Sequence, residues 1–336
     1  MSKLESIARE LVAPKKGILA ADESTPTIGK RFATINVDST PESRIAYRDG
    51  LFSTSGLSEF VSGVILYDET IRQQAGNGLP IPEALAKAGI HPGIKVDTGA
   101  KELAGCPGEK VTEGLDGLRD RLVEYAGMGA RFAKWRAVIT IGDGIPSDTC
   151  IDVNAHALAR YAALCIENGL VPIVEPEVLM DGAHDIATCY AATHRAQHAV
   201  FAALVRQRVP LEQILLKPNM VISGTDCPEQ ADVREVAEQT VRCLRNTVPA
   251  AVPGIVFLSG GQSDELATAH LNEMNKLGAS PWELSFSYGR ALQAPALAAW
   301  AGDAANVEAA QAALYKRARL NGLARSGEYS EDLEAA

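Results

Sequence analysis

Arg131-Phe-Ala-Lys-Trp-Arg136, a helix-patterned stretch from Asn154 to Asn168, and then Val171-Pro-Ile-Val-Glu175 form one strand–helix–strand unit. A short apolar run ends at charged residues, a helical segment follows, and a second apolar run ends at a carboxylate. In the intervening segment Leu158, Tyr161, Leu164 and Cys165 fall on one helical face, and Asn168-Gly169 supplies a C-terminal stop. Six further runs behave like these two. Gly17-Ile-Leu-Ala-Ala-Asp22, Val61-Ser-Gly-Val-Ile-Leu-Tyr67 and Gly93-Ile-Lys-Val-Asp97 precede them. Ile214-Leu-Leu-Lys217, Gly254-Ile-Val-Phe-Leu-Ser259 and Glu283-Leu-Ser-Phe-Ser-Tyr288 follow. Successive runs lie roughly 30–45 residues apart, about one strand, one helix and two loops.

This alternation predicts a parallel sheet. Eight units in one undivided chain favour a closed (β/α)8 TIM barrel; an open doubly wound sheet is the alternative that periodicity leaves standing. Helices are expected over Thr112–Met128, with Leu115, Leu118, Leu122 and Tyr125 as its apolar face, and over Ile186–Gln207, ended by Pro210. The first connection, Glu23 to Phe60, is longer than one crossover helix needs. The expected organisation is a single barrel domain over residues 1–327 with an N-terminal extension. A short tail, 328–336, with four acidic residues and few large apolar ones, is expected to be mobile.

Composition narrows the function. The 336 residues carry 42 Asp and Glu against 32 Lys and Arg, a formal net charge of −10, which argues against nucleic acid as a partner. Local cationic clefts for small anions remain open. No run approaches the 18 apolar residues of a membrane span, and the N-terminus lacks the apolar core of a signal peptide. A cytoplasmic protein with no membrane partner is therefore expected. The six cysteines are scattered without a C-x-x-C pair, as reduced thiols would be. No dinucleotide or nucleotide-triphosphate glycine motif is present. His194 and His198 could share a helix face, but no third ligand is obvious and no metal is expected.

In a barrel of this kind, groups at the carboxyl ends of the strands converge on one mouth. Read in order, the run-ends offer Asp22, Asp68, Lys95 with Asp97, Lys134 with Arg136, Glu175 with Glu177, Lys217, Ser259-Gly260-Gly261 and Ser287, with Arg290 just beyond. Lysines inside apolar strands are costly unless paired or used. Lys217, stopped by Pro218, could supply a nucleophilic amine that forms an imine with a ketone; the bland alternative is a solvated lysine at a strand end. Lys134 and Arg136 share one side of their strand, as do Glu175 and Glu177 on theirs. A carboxylate pair beside lysines can divide into acid and base, or can simply form a structural ion-pair cluster. Ser259-Gly260-Gly261 reads as an anion cradle, with Arg290 as a planar fork for the same phosphate. Lys30-Arg31, after Asp22-Glu-Ser24, could hold a second anion or could be a solvated helix face.

Several of these stretches closely resemble segments of class I fructose-bisphosphate aldolases. They include Gly17-Ile-Leu-Ala-Ala-Asp-Glu-Ser24, Phe132-Ala-Lys-Trp-Arg136, Val171-Pro-Ile-Val-Glu-Pro-Glu177 and Leu215-Leu-Lys-Pro-Asn-Met220. Gly93-Ile-Lys-Val-Asp97, Phe257-Leu-Ser-Gly-Gly-Gln-Ser263 and Phe286-Ser-Tyr-Gly-Arg-Ala-Leu-Gln293 complete a set that runs from about residue 4 to residue 329. The resemblance implies reversible, metal-independent cleavage of fructose 1,6-bisphosphate to dihydroxyacetone phosphate and glyceraldehyde 3-phosphate, a step of glycolysis and gluconeogenesis. It makes Lys217 the Schiff-base lysine, with no other cofactor. Glu175 becomes the acid/base of carbinolamine formation and dehydration, assisted by Lys134 and tuned by Glu177, and Asp22 the base for the C4 hydroxyl. Ser259, Gly260, Gly261, Ser287 and Arg290 are then the C1-phosphate site. Ser24, Arg31 and Lys95 face the C6 phosphate, with Lys30 close by and Arg136 also toward substrate. The family is commonly tetrameric, so a homo-oligomer is expected.

The chain departs from the family pattern at two points. Many members end in a tyrosine that helps protonate the enamine, whereas this chain ends Glu334-Ala335-Ala336, and its last tyrosine, Tyr329, matches an earlier family position. Thr27 stands where a second phosphate-binding serine is usual. A catalytically weak or inactive scaffold on an aldolase fold is the alternative function, and retention of Asp22, Glu175 and Lys217 together argues against it.

Overall fold

The computed structural model describes residues 1–335. In chain order its elements are α1 (Lys3–Leu11), β1 (Gly17–Ala21), α2 (Thr25–Ala33), α3 (Pro41–Phe52), β2 (Val61–Leu66), α4 (Asp68–Ile71), α5 (Ile81–Lys87) and β3 (His91–Lys95). A hairpin, β4 (Gly99–Glu102) and β5 (Lys110–Glu113), precedes α6 (Leu118–Gly127), β6 (Phe132–Ile139), α7 (Asp148–Glu167) and β7 (Val171–Val178). Then come α8 (Ile186–Arg206), β8 (Leu215–Leu216), α9 (Val233–Thr247), β9 (Gly254–Phe257), α10 (Asp264–Lys276), β10 (Glu283–Tyr288), α11 (Arg290–Trp300) and α12 (Val307–Ala324). The eight strands outside the hairpin close into one parallel barrel, in the order β1-β10-β9-β8-β7-β6-β3-β2. All eight apolar runs thus become barrel strands, and closure removes the open-sheet alternative.

Side-chain caps start the helices where the sequence changes character. Ser147, Asp185, Asp232 and Ser263 each accept a hydrogen bond from a backbone N–H in the first turn of α7, α8, α9 and α10. The helix expected over Thr112–Met128 is shorter than its apolar spacing suggests. Thr112 lies in β5 and Leu115 in the turn that follows, because Gly114 and Gly117 take left-handed backbone, with φ of 128° and 66°, that a helix cannot continue through. Leu118, Leu122 and Tyr125 do form the buried face of α6. The long first connection folds as α2 and α3.

The end of the barrel opposite the strand carboxyl termini is sealed. Leu4, Ile7, Ala8 and Leu11 of α1 join Ile18, Ile65, Phe132, Val171, Ile173, Leu215 and Val256 in one buried apolar cluster. The Phe132 ring lies across this floor, where only a strand residue without a Cβ can face it. A Cβ on Gly93 would come within 2.3 Å of the Phe132 ring carbons. The segment after Gly327, for which mobility is expected, makes defined contacts. Tyr329 Oη donates to Glu334 Oε1 at 2.9 Å, and buried Arg317 donates from Nη1 to both Glu334 oxygens at 2.6 Å. The acidic character that suggested a free tail supplies the carboxylate that docks it; Ala336 lies outside the described residues. Among the described residues no helix is long and apolar enough to cross a membrane.

Gly93→Ala should destabilise the barrel by about 1–3 kcal/mol through overpacking. Adding Phe132→Leu should restore part of the loss, and urea unfolding midpoints of the two variants check both statements.

Candidate active site

The carboxyl ends of the strands bring the expected charges together. β6 and β7 pair with Lys134 opposite Ile173 and Arg136 opposite Glu175, so residues two apart on each strand project toward the same mouth. Lys134 Nζ lies 2.6 Å from Asp22 Oδ2 and 3.4 Å from Glu175 Oε2. Lys217 Nζ lies 3.3 Å from the other oxygen, Glu175 Oε1. Glu175 therefore stands between two lysine nitrogens, with all three side chains buried. Its Oε2 makes no hydrogen bond of good geometry within the protein. Lys217 is thus buried with a carboxylate beside its nitrogen, and is not the solvated lysine of the bland alternative.

Burial works against the charge of Asp22, but Lys134, Lys217 and Lys95 outweigh it and hold the carboxyl well below the usual carboxylate range. Burial likewise opposes the charge of Lys134, and Asp22 with Glu175 overcomes it, so the amine stays protonated well above the usual lysine range. The pair is an anion and a cation at neutral pH.

Around this centre three further cations each have their own buried carboxylate. Arg136 Nε pairs with Glu177, and Lys95 Nζ lies 2.7 Å from Asp97 Oδ1. Arg31 pairs with Glu23, whose Oε1 also accepts from Gln293 Nε2 at 2.7 Å and whose Oε2 lies 3.8 Å from the buried Arg48. Ser24 and Thr27 hydroxyls are 3.0 Å apart, so the threonine keeps the polar contact in place of a serine. On the opposite side Gly260 and Gly261 take φ of 62° and 100°, and a Cβ on Gly261 would lie 3.0 Å from Arg290 Nη2. Glycine thus lets this turn and Arg290 approach each other. Ser287 Oγ is buried and makes no hydrogen bond among the described residues.

Asp22, Ser24, Arg31, Lys95, Lys134, Arg136, Glu175, Glu177, Lys217, Ser259, Gly260, Ser287 and Arg290 line one cavity of about 230 Å³. Gly261 lies behind it against Arg290. Lys30 does not join: it is exposed and its neighbour Arg31 takes the inward position. A second cavity of about 610 Å³ shares Ser24, Thr27, Lys95 and Arg136, and continues past Tyr67, Arg72 and Arg121. His194 and His198 stack with ring centroids 6.4 Å apart, away from the mouth. Among the described residues no group of three or more His, Cys, Asp and Glu side chains is arranged to hold a metal ion.

Three positioning residues escaped the sequence reading. Glu23 stands beside quoted site residues and Gln293 ends a quoted motif, but nothing in the pattern distinguished a group that orients a cation from one that meets a ligand; the same ambiguity left Asp97, named beside Lys95 as a run-end, without a role. Asn219, two after Lys217, accepts from Val178 N at 3.0 Å and donates to Thr193 Oγ1 at 3.0 Å, tying the strand after the lysine to the end of β7.

Lys134→Met should raise the Asp22 pKa, because burial then acts against less opposing charge. Carbonyl-carbon NMR titration of Asp22 checks this: the wild-type carboxyl should stay ionised to the acid limit of folding, and the variant should titrate at higher pH.

Comparison with known proteins agrees with this geometry. The family model for fructose-bisphosphate aldolase class-I matches residues 3–336. A probable fructose-bisphosphate aldolase class 1 of Xanthomonas axonopodis pv. citri is 60% identical over 330 residues, 98% of this chain and 99% of that protein. Fructose-bisphosphate aldolase 1 of Toxoplasma gondii is 55% identical, covering 97% and 91% of the two chains. The solved aldolase of Plasmodium falciparum, in complex with TRAP and a small-molecule inhibitor, superposes with a TM-score of 0.96 at 51% identity over 97% of this chain and 95% of that one. The chain belongs to the class I fructose-bisphosphate aldolase family.

Proposed function

We propose that this barrel is a lyase that cleaves fructose 1,6-bisphosphate reversibly through an imine on Lys217. The observation that carries the reading is Glu175, held between Lys217 and Lys134 with Asp22 on the far side of Lys134. The Lys217 amine attacks the C2 carbonyl, and Glu175 passes the protons that turn the carbinolamine into a protonated imine with loss of water. The iminium then accepts the electron pair of the C3–C4 bond. As that bond breaks, the C4 hydroxyl becomes a carbonyl and its proton goes to Asp22. A carboxylate tied to Lys134 is a weak base, but the O–H of a nascent protonated aldehyde is strongly acidic, so a weak base suffices. Glyceraldehyde 3-phosphate leaves, the enamine is protonated at C3, and hydrolysis of the imine releases dihydroxyacetone phosphate.

In this reading Ser259, Gly260, Gly261, Ser287 and Arg290 hold the C1 phosphate, and Ser24, Arg31, Lys95 and Arg136 serve the C6 end. Glu177 tunes the centre through Arg136. Tyr329 is buried and bonded to Glu334, which holds its hydroxyl away from the enamine-protonating role. Membership of the family carries the remaining expectations: a homotetramer, cytoplasmic, in glycolysis and gluconeogenesis. Light scattering checks the assembly.

Borohydride reduction with dihydroxyacetone phosphate should leave an adduct on Lys217, found by peptide mass mapping, with or without chelator. No adduct on folded, ligand-bound protein would instead support a scaffold without catalysis. Asp22→Asn should retain trapping of the imine while cleavage falls by roughly 10²–10⁴-fold, the usual worth of a positioned base. A steady-state cleavage assay beside the trapping assay separates the two steps.

A further inference from the structure

The turn that carries Ser259, Gly260 and Gly261 is braced from behind by a side chain with no place in the proposed chemistry. His270 lies on α10, only 3% exposed. Its Nδ1 is 2.6 Å from Gln262 Oε1. Gln262 Nε2 donates to the Ser259 carbonyl at 2.9 Å, and the Gln262 backbone N–H reaches the same carbonyl at 3.1 Å. Gln262 Nε2 also lies 3.6 Å from Met220 Sδ, on the segment that follows Lys217. One amide thus clamps the first carbonyl of the turn and touches the strand that bears the lysine.

The direction of each bond follows from the groups present. The Ser259 carbonyl can only accept, so the amide nitrogen of Gln262 must face it and the amide oxygen must face His270. That oxygen can only accept, so His270 carries its proton on Nδ1. Its Nε2 is buried and has no hydrogen-bond partner among the described residues. Burial pushes the imidazole pKa down to about 4, which agrees with a neutral ring at neutral pH. A buried nitrogen without a partner is a cost that a leucine or phenylalanine at this position would avoid. The single donor on Nδ1 is what the histidine offers in return.

We propose that His270 is a positioning residue for the anion cradle, locking Gln262 so that the Ser259–Gly261 turn presents its donors to the substrate's C1 phosphate. The inference rests on the reading of this cradle as the C1-phosphate site. With Ser259 O clamped by two donors from Gln262, the glycine peptides are held in their left-handed geometry before the anion arrives, and less ordering is left to binding. Without His270 the amide of Gln262 loses the partner that fixes its orientation, and the clamp on Ser259 loosens.

The test compares His270→Asn with His270→Leu. Asparagine places an N–H donor about where imidazole Nδ1 lies, while leucine fills volume and donates nothing. We expect His270→Leu to raise both KM for fructose 1,6-bisphosphate and the inhibition constant of inorganic phosphate by roughly three- to tenfold, the scale of one hydrogen bond. Trapping of an imine with phosphate-free dihydroxyacetone should be unchanged, and His270→Asn should return both constants to near wild type. Gln262→Leu, which breaks the same brace from its other end, should reproduce the leucine phenotype and stands in should His270→Leu fail to fold. Equal constants in wild type and His270→Leu, or equal losses in the asparagine and leucine variants, would overturn the proposal. Wild-type enzyme that traps the imine but is indifferent to inorganic phosphate would overturn the reading of the cradle itself, and the inference with it.

Discussion

Glu175 sits in a barrel mouth with a lysine nitrogen on either side, and the rest of the structure is arranged so that this can persist. Burying three charges sheds their hydration, and mutual attraction offsets that loss only when the geometry is held closely. Removing one partner of such a group strands the others, at a cost of about 3–5 kcal/mol in typical buried pairs. The register between β6 and β7 holds Lys134 and Glu175 at their separation, and β8 delivers Lys217 to the other carboxylate oxygen. The apolar floor is the counterweight. α1 and the Phe132 ring seal the opposite end, so the charged layer faces one opening and is not flooded from below.

The fold was legible because each barrel strand is an apolar run that stops at a charge, a pattern with few other solutions in a chain of this length. What the pattern could not show was local backbone chemistry. The apolar spacing at Leu115, Leu118 and Leu122 fits one helix, yet two left-handed glycines cut it at Gly117 and leave Thr112 in a hairpin. The charged cluster at the mouth was legible for the same reason as the fold, since its charges are the run-ends. The layer behind it was not. Glu23 holds Arg31, while Asn219 and His270 brace segments behind the mouth, and their roles depend on which atom faces which, a matter of rotamer and of approach between distant segments. Lys30 shows the converse: adjacent basic residues on a helix cannot both face inward, and Arg31 is the one that Glu23 holds.

The division of partners across the mouth bears on the order of the reaction. At the end proposed for the C6 phosphate, Arg31, Lys95 and Arg136 are each already paired with a buried carboxylate. A phosphate arriving there competes with Glu23, Asp97 and Glu177 and is only partly favoured over them. At the end proposed for the C1 phosphate, Arg290 has no ion pair and Ser287 Oγ no hydrogen bond among the described residues. An anion there meets donors committed to nothing else, on a turn already held in shape by Gln262. In the proposed reaction the grip is therefore uneven: firm on the half that would be attached covalently to Lys217, and exchangeable on the half that would leave first as the aldehyde. A site that held both phosphates equally would retain the aldehyde beside the enamine and favour its return. Pairing the C6-end cations with their own carboxylates lets them guide a bisphosphate in and still release a monophosphate, which is what an ordered cleavage through a covalent intermediate requires.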